Sequence, residues 1–189
     1  MKLRMYTFVP YNISDKQKGI QSWHVAQKYD ARYKDDFITW DFIDNHMTGI
    51  MLDGGTTNNS FDPERRGTLN VIMDQLGEND IDHSRFYEPD LNDALTAVAF
   101  LADERVWDYE TYPEFYDWFV AQRMYPLVGD RVDKEISVDA ERNIEFLRKA
   151  KPEFQKEEFP KEYKMWIKEI LGNNKNEFLR NLLRGKKLA

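Results

Sequence analysis

The stretch LRMYTFVPYNISDKQKGIQSWH, residues 3–24, decides the fold. Its first seven residues are β-branched, aromatic and apolar enough for a buried strand, and Pro10 and Asn12 close it. Ser14-Asp15-Lys16-Gln17 then forms a capping box: the Ser14 hydroxyl can accept from the amide three residues on while Gln17 reaches back, and Asp15 suits the positive end of a helix. A strand running directly into a capped helix, expected to continue to about Tyr33, is the opening of an α/β unit.

Working outward, residues 35–45 predict a second helix with an aromatic face of Phe37, Ile38, Trp40 and Phe42, and residues 48–52 predict the next strand. Residues 53–67, DGGTTNNSFDPERRG, are polar and without periodicity; loops of this length inside a compact unit are commonly functional. Thr68 is placed to cap a third helix with Leu69, Ile72, Met73 and Leu76 on one face and Gly77 at its end. Residues 83–87 and 95–101 predict two further strands around the turn-rich Glu88-Pro89-Asp90-Leu91-Asn92-Asp93. The order β-α-α-β-α-β-β predicts a sheet with helices packed on it.

From Thr111 onward the strand signals stop, and the chain is expected to divide into an α/β domain over 1–106 and a helical extension over 107–189. Thr111-Tyr112-Pro113-Glu114 forms a second capping box with Phe115, Trp118 and Phe119 on the following apolar face. Helices are expected at 138–150, 160–171 and 175–184, with Gly172 and Gly185 as their terminators, and Arg184-Gly185-Lys186-Lys187 reads as a solvated tail, with a phosphate contact as the alternative.

Composition narrows the chemistry. With no cysteine, disulfides, thiolate zinc sites and cysteine nucleophiles are excluded, and three histidines, His24, His46 and His83, make a multi-histidine metal centre a poor expectation. Neither a run of about 18 apolar residues nor a signal-peptide pattern appears, so a cytoplasmic protein without membrane contact is expected. Charge is regional. Residues 1–34 carry seven Lys or Arg against two acids, residues 35–120 four against twenty, and residues 121–189 sixteen against twelve. Only the two ends could supply the cations that hold nucleic-acid phosphates.

Gln21 and His24 lie three apart on one face of the first helix, near the strand-to-helix junction where α/β folds place ligands and offer amides to an anion. Taken alone they read equally as a surface amide and a packing histidine. Glu88, Asp90 and Asp93 are close enough in sequence to repel one another, an arrangement that suits a general base; they also read as acids that solvate a hairpin. Gly54-Gly55-Thr56-Thr57 with Arg65 and Arg66 could wrap a phosphate, although neither a P-loop nor a dinucleotide motif is present, and a linker is the alternative. The aromatic stripe of Trp107, Tyr109, Tyr112, Phe115, Tyr116, Trp118 and Phe119 has the spacing of core packing, with base stacking as the alternative.

The strand, the Lys-containing turn and Gln21-x-x-His24 on the first helix, over Ser14 to His24, resemble the first motif of the peptidyl-tRNA hydrolase family of the archaeal and eukaryotic type. Residues 88–100, EPDLNDALTAVAF, resemble that family's hairpin and final threonine-bearing strand, and the chain also looks like relatives carried by large tailed phages, whose opening and EPDLN-type segment it resembles. The resemblance covers about residues 3–103. It implies a three-layer α/β/α fold with a four-stranded mixed sheet, hydrolysis of the ester linking a peptide to tRNA, and no metal or other cofactor. It further implies His24, Lys18, Glu88, Asp90 and Thr96 as catalytic residues, a carboxylate (Glu88 or Asp90) holding water while Lys18 or Lys16 stabilises the oxyanion. Lys16, Gln17, Gln21, Arg65 and Arg66 are the expected substrate-binding residues, with Gln17 at the position of the family's lysine. The expected partner is the acceptor end of tRNA or peptidyl-tRNA. The alternative is a non-catalytic binding module capturing a small nucleotide or a partner protein, with a homodimer as an open option.

Overall fold

A computed structural model describes residues 1–58, 65–124, 146 and 148–189. The chain forms two compact units, residues 1–104 with 182–189, and residues 105–181. The division thus falls two residues before the expected boundary, and the last eight residues leave the helical part for the α/β unit.

The α/β unit is a four-stranded mixed sheet in the order β2-β1-β4-β3, built from β1 (Leu3–Val9), β2 (Gly49–Asp53), β3 (His83–Glu88) and β4 (Ala94–Asp103). β1 runs parallel to β2 and antiparallel to β4, which pairs antiparallel with β3. Helices α1 (Asp15–Arg32), α2 (Phe37–Asn45) and α3 (Thr68–Glu78) complete it. Adjacent β3 residues show that helices cover both faces: the Phe86 ring meets His24 of α1, while the Tyr87 hydroxyl lies 3.6 Å from Met73 of α3.

The capping box forms as the sequence implies, with Gln17 N–H donating to the Ser14 hydroxyl and the Gln17 amide oxygen accepting from Ser14 N–H. A cap of this kind contributes about 1 kcal/mol. The sheet-facing side of α1 buries Gln21, Val25 and Tyr29, and Val25 and Tyr29 pack on Leu3, Met5, Val9, Ala97 and Ala99. Burial pushes the Tyr29 phenol above its usual range, so it stays protonated.

Two expectations fail in this unit. Only Phe42 of the predicted aromatic face of α2 is buried; Phe37, Ile38 and Trp40 face solvent. The C-terminal RGKKLA segment is not a free tail: Lys187 C=O accepts from Asp53 N–H at 3.0 Å and Ala189 N–H donates to Met51 C=O at 3.1 Å, covering the exposed edge of β2. α3 also runs past Gly77 to Glu78, with Asp80 taking the left-handed conformation beyond it.

The helical unit contains α4 (Phe115–Met124), α5 (Pro152–Glu158), α6 (Pro160–Trp166), a π-helical turn (Ile167–Leu171) and the start of α7 (Asn174–Leu183). Gly172 closes the π turn at φ 79°, as its expected role as a terminator requires. The second capping box does not start α4. Thr111 N–H is held by the Asp108 carboxylate instead, and the first helical bond runs from Trp118 N–H to Glu114 C=O. Phe115, Trp118 and Phe119 of α4 pack on Tyr163, Trp166, Ile167 and Leu171, so the aromatic stripe is core at these positions and is not available to stack bases. Helix α5 was not anticipated, and the helix expected at 138–150 lies mostly outside the described residues.

Candidate functional site

The end of the sheet where β1 and β2 finish also carries the start of α1, the end of β3 and the start of β4. Chain topology forces this, because β1 leads into α1 while its antiparallel neighbour β4 begins beside Val9. Ligands in open α/β sheets bind outside these strand ends.

At that end Gln21 joins three elements. Its amide nitrogen donates to Glu88 Oε2 at 2.6 Å, and its amide oxygen accepts from the Thr96 hydroxyl at 2.7 Å. Gln21 is 5% exposed and Thr96 fully buried, so both ends of the amide are satisfied away from bulk water. A β-bulge makes this possible. Phe86 pairs with Ala97 and Tyr87 with Leu95, which leaves Thr96 as the extra residue of β4. A bulge interrupts the side-to-side alternation of a strand and re-aims a side chain; Thr96 thereby reaches the α1 side, where Ala97 also packs. Asn92 and Asp93, both left-handed, complete the tight return that sets this register.

His24 lies one turn beyond Gln21 with its ring 4.6 Å from Phe86, whose carbonyl lies 3.4 Å from the Thr96 hydroxyl. His24 Nδ1 is buried and has no hydrogen-bond partner among the described residues. The Lys28 ammonium lies 4.8 Å over the same Phe86 ring, a cation that sequence inspection passed over because Lys28 falls outside the first-helix motif. Thr7 and Ser22 hydroxyls pair at 2.8 Å, extending the polar strip beneath α1 onto β1.

The other expected site residues are placed differently. Asp90 is exposed on the short 3₁₀ turn Pro89–Leu91, so Glu88 is the acid that meets the helix. Thr96 does not face solvent; its hydroxyl holds Gln21. Lys18 has its side chain only 13% exposed and pairs with Asp15 at 3.3 Å, whereas Lys16 is exposed and Gln17 serves the capping box.

Among the described residues of the 53–67 loop, four amides that could have met a phosphate are engaged within the protein. Gly55 N–H donates to the Asp53 carboxylate, Thr56 N–H to the Thr68 hydroxyl, and Asn58 and Gly67 N–H to the Asn70 amide oxygen. Gly55 holds φ 76°, a conformation natural to glycine, and a Cβ there would collide with Thr68. Arg66 is paired to Asp74 at 2.6 Å, and Arg65 C=O accepts from the Asn58 amide. Thr57 donates to Leu95 C=O, so this loop buttresses the bulged start of β4.

Among the described residues there is no cluster of acids and histidines able to hold a metal ion, and no helix long and apolar enough to cross a membrane. No protein-family model matches the chain, and no curated protein is significantly similar to it. What the geometry defines is therefore a class: a mixed α/β unit with a carboxylate, an amide, a hydroxyl and an imidazole gathered where the first helix meets the β3-β4 hairpin.

Proposed function

We propose that the α/β unit hydrolyses the ester joining a peptide to the terminal ribose of tRNA, as a divergent member of the peptidyl-tRNA hydrolase family of the archaeal and eukaryotic type. The observation that carries this reading is the Gln21 bridge, which couples the first-helix motif to the hairpin motif through Glu88 and Thr96. The orphan His24 Nδ1 supports it further, since a buried unpaired nitrogen in a native site calls for a partner that a substrate can supply.

In this mechanism Glu88 accepts a proton from water as the water oxygen attacks the ester carbonyl carbon. The carbonyl electron pair moves to oxygen, and Lys18, with amides at the strand ends, stabilises that oxyanion. Collapse breaks the bond to the ribose oxygen, which takes up the proton held by Glu88, releasing peptide acid and tRNA. Gln21 is a positioning residue that fixes the carboxylate, and Thr96 acts through Gln21. The basic segment 1–34 faces the acceptor end of the tRNA.

One observation favours the alternative of a non-catalytic module that captures a nucleotide or partner at the same place: Gln21, Glu88 and Thr96 already satisfy one another, as a purely structural lock would. Release of labelled peptide from peptidyl-tRNA separates the two. The enzyme predicts that Glu88→Gln slows release by about 100-fold or more, that His24→Ala also slows it, and that Asp90→Asn leaves it unchanged. Absence of release by the intact chain, with a nucleotide co-purifying, selects the module.

A further inference from the structure

Helix α2 is apolar on nearly every side yet covered on only one. Phe37, Trp40, Asp41 and Asp44 stand at i, i+3, i+4 and i+7, a spacing that sets four side chains in one stripe, while the buried Thr39 and Phe42 lie on the other side. Phe37 is 73% and Trp40 53% exposed, and their rings lie against each other with centroids 6.1 Å apart. Ile38, Ile43 and Met47 are exposed beside them. A contiguous apolar patch of this kind on a folded surface marks a place where another molecule binds.

The charges on the stripe say what kind. Asp41 lies 3.4 Å from His46 Nε2 and accepts from the Asn45 amide, Asp44 is exposed, and Asp35 and Asp36 stand at the helix start. Aromatic faces are electron-rich and attract cations, as carboxylates do. We propose that the stripe is a docking surface for a basic amphipathic helix of a partner protein, its Lys or Arg residues meeting Asp41 and Asp44 and its aliphatic residues covering Phe37 and Trp40. A second copy of this chain is the poorer occupant: twofold antiparallel pairing of the stripe sets the rings of one copy against the carboxylates of the other with no cation between them, a costly burial. None of these residues belongs to the Gln21 site, so the inference stands or falls independently of ester hydrolysis.

The test uses the full chain and a labelled synthetic amphipathic helix of Lys and Leu, read by fluorescence anisotropy beside a Glu/Leu helix and a Lys/Ser helix of the same pattern. The Lys/Leu helix is expected to bind about tenfold or more tighter than either control, a difference of about 1.4 kcal/mol. Phe37→Ser with Trp40→Ser is expected to abolish that preference. Asp41→Lys with Asp44→Lys is expected to do the same while leaving the aromatic pair and the melting temperature in place. Equal binding by the intact chain and both variants, or preference for the Glu/Leu helix, overturns the proposal. So does a dimer in sedimentation that Phe37→Ser with Trp40→Ser disperses, which assigns the stripe to a second copy.

Discussion

Gln21 and Arg180 are the long polar side chains each unit buries most deliberately, and they are anchored in opposite ways. Arg180, 1% exposed, donates to the backbone carbonyls of Arg105 at 3.0 Å and Tyr112 at 2.6 Å, lies 3.6 Å from Glu114, and sits over the Tyr109 and Trp166 rings. Both of these hydrogen bonds go to main-chain carbonyls, and its cation also meets the Glu114 carboxylate and two aromatic rings. Gln21 instead joins a carboxylate and a hydroxyl from two strands, at the end of the sheet where substrates bind in this class of fold. A buried polar group tied to carbonyls builds architecture. One tied to ionisable and hydroxyl side chains at a strand end aims them.

Three substitutions put that contrast at risk, the largest effect first. Arg180→Ala removes a buried cation from the part-buried carbonyls of Arg105 and Tyr112; hydrogen bonds to a charged group contribute about 1.5–3 kcal/mol each, and urea unfolding is expected to show the helical unit melting early. The peptide release proposed for the α/β unit is expected to persist below that transition, and loss of that activity in a still-folded Arg180→Ala protein would erase the distinction. Gln21→Leu strands the Glu88 and Thr96 groups at a cost of about 1–3 kcal/mol each, and is expected to lower both the melting temperature and the release rate. Were stability alone to fall, Gln21 would join Arg180 as architecture.

The smallest effect concerns Asp30 on α1, whose carboxyl is raised above its ordinary range by burial and whose Oδ1 has no partner among the described residues. A raised acid binds more protons folded than unfolded, so its contribution falls as pH rises from the unfolded toward the folded pKa. Asp30→Asn is therefore expected to raise the melting temperature modestly at neutral pH and to give no gain in acid, below both pKa values.

What was legible in the sequence was local. The 3–9 strand, the Ser14-Gln17 capping box and Gly172 announce themselves because neighbouring residues decide them. That the first helix and the hairpin share a site followed from two motifs in the right order, but the Gln21 bridge and the choice of Glu88 over Asp90 did not: Thr96 reaches Gln21 through a bulge set by cross-strand register, and Asp90 lies on an exposed 3₁₀ turn. The aromatic spacing of α2 does not declare which side is covered, because apolar residues stand on nearly every side of that helix. Thr111 carries a good capping pattern, yet Asp108 takes its amide. The RGKKLA segment reads as a solvated tail because nothing within it signals that β2 lacks a partner on one edge.

The central claim is that the first helix and the hairpin meet through Gln21 and the Glu88 carboxylate. Side-chain amide NMR of ¹⁵N-labelled protein addresses it most directly. The Gln21 NH₂ signal is expected to be protected from exchange with water, and that protection is expected to be lost in Glu88→Ala. A freely exchanging Gln21 amide in the intact chain, or protection that survives Glu88→Ala unchanged, contradicts the account.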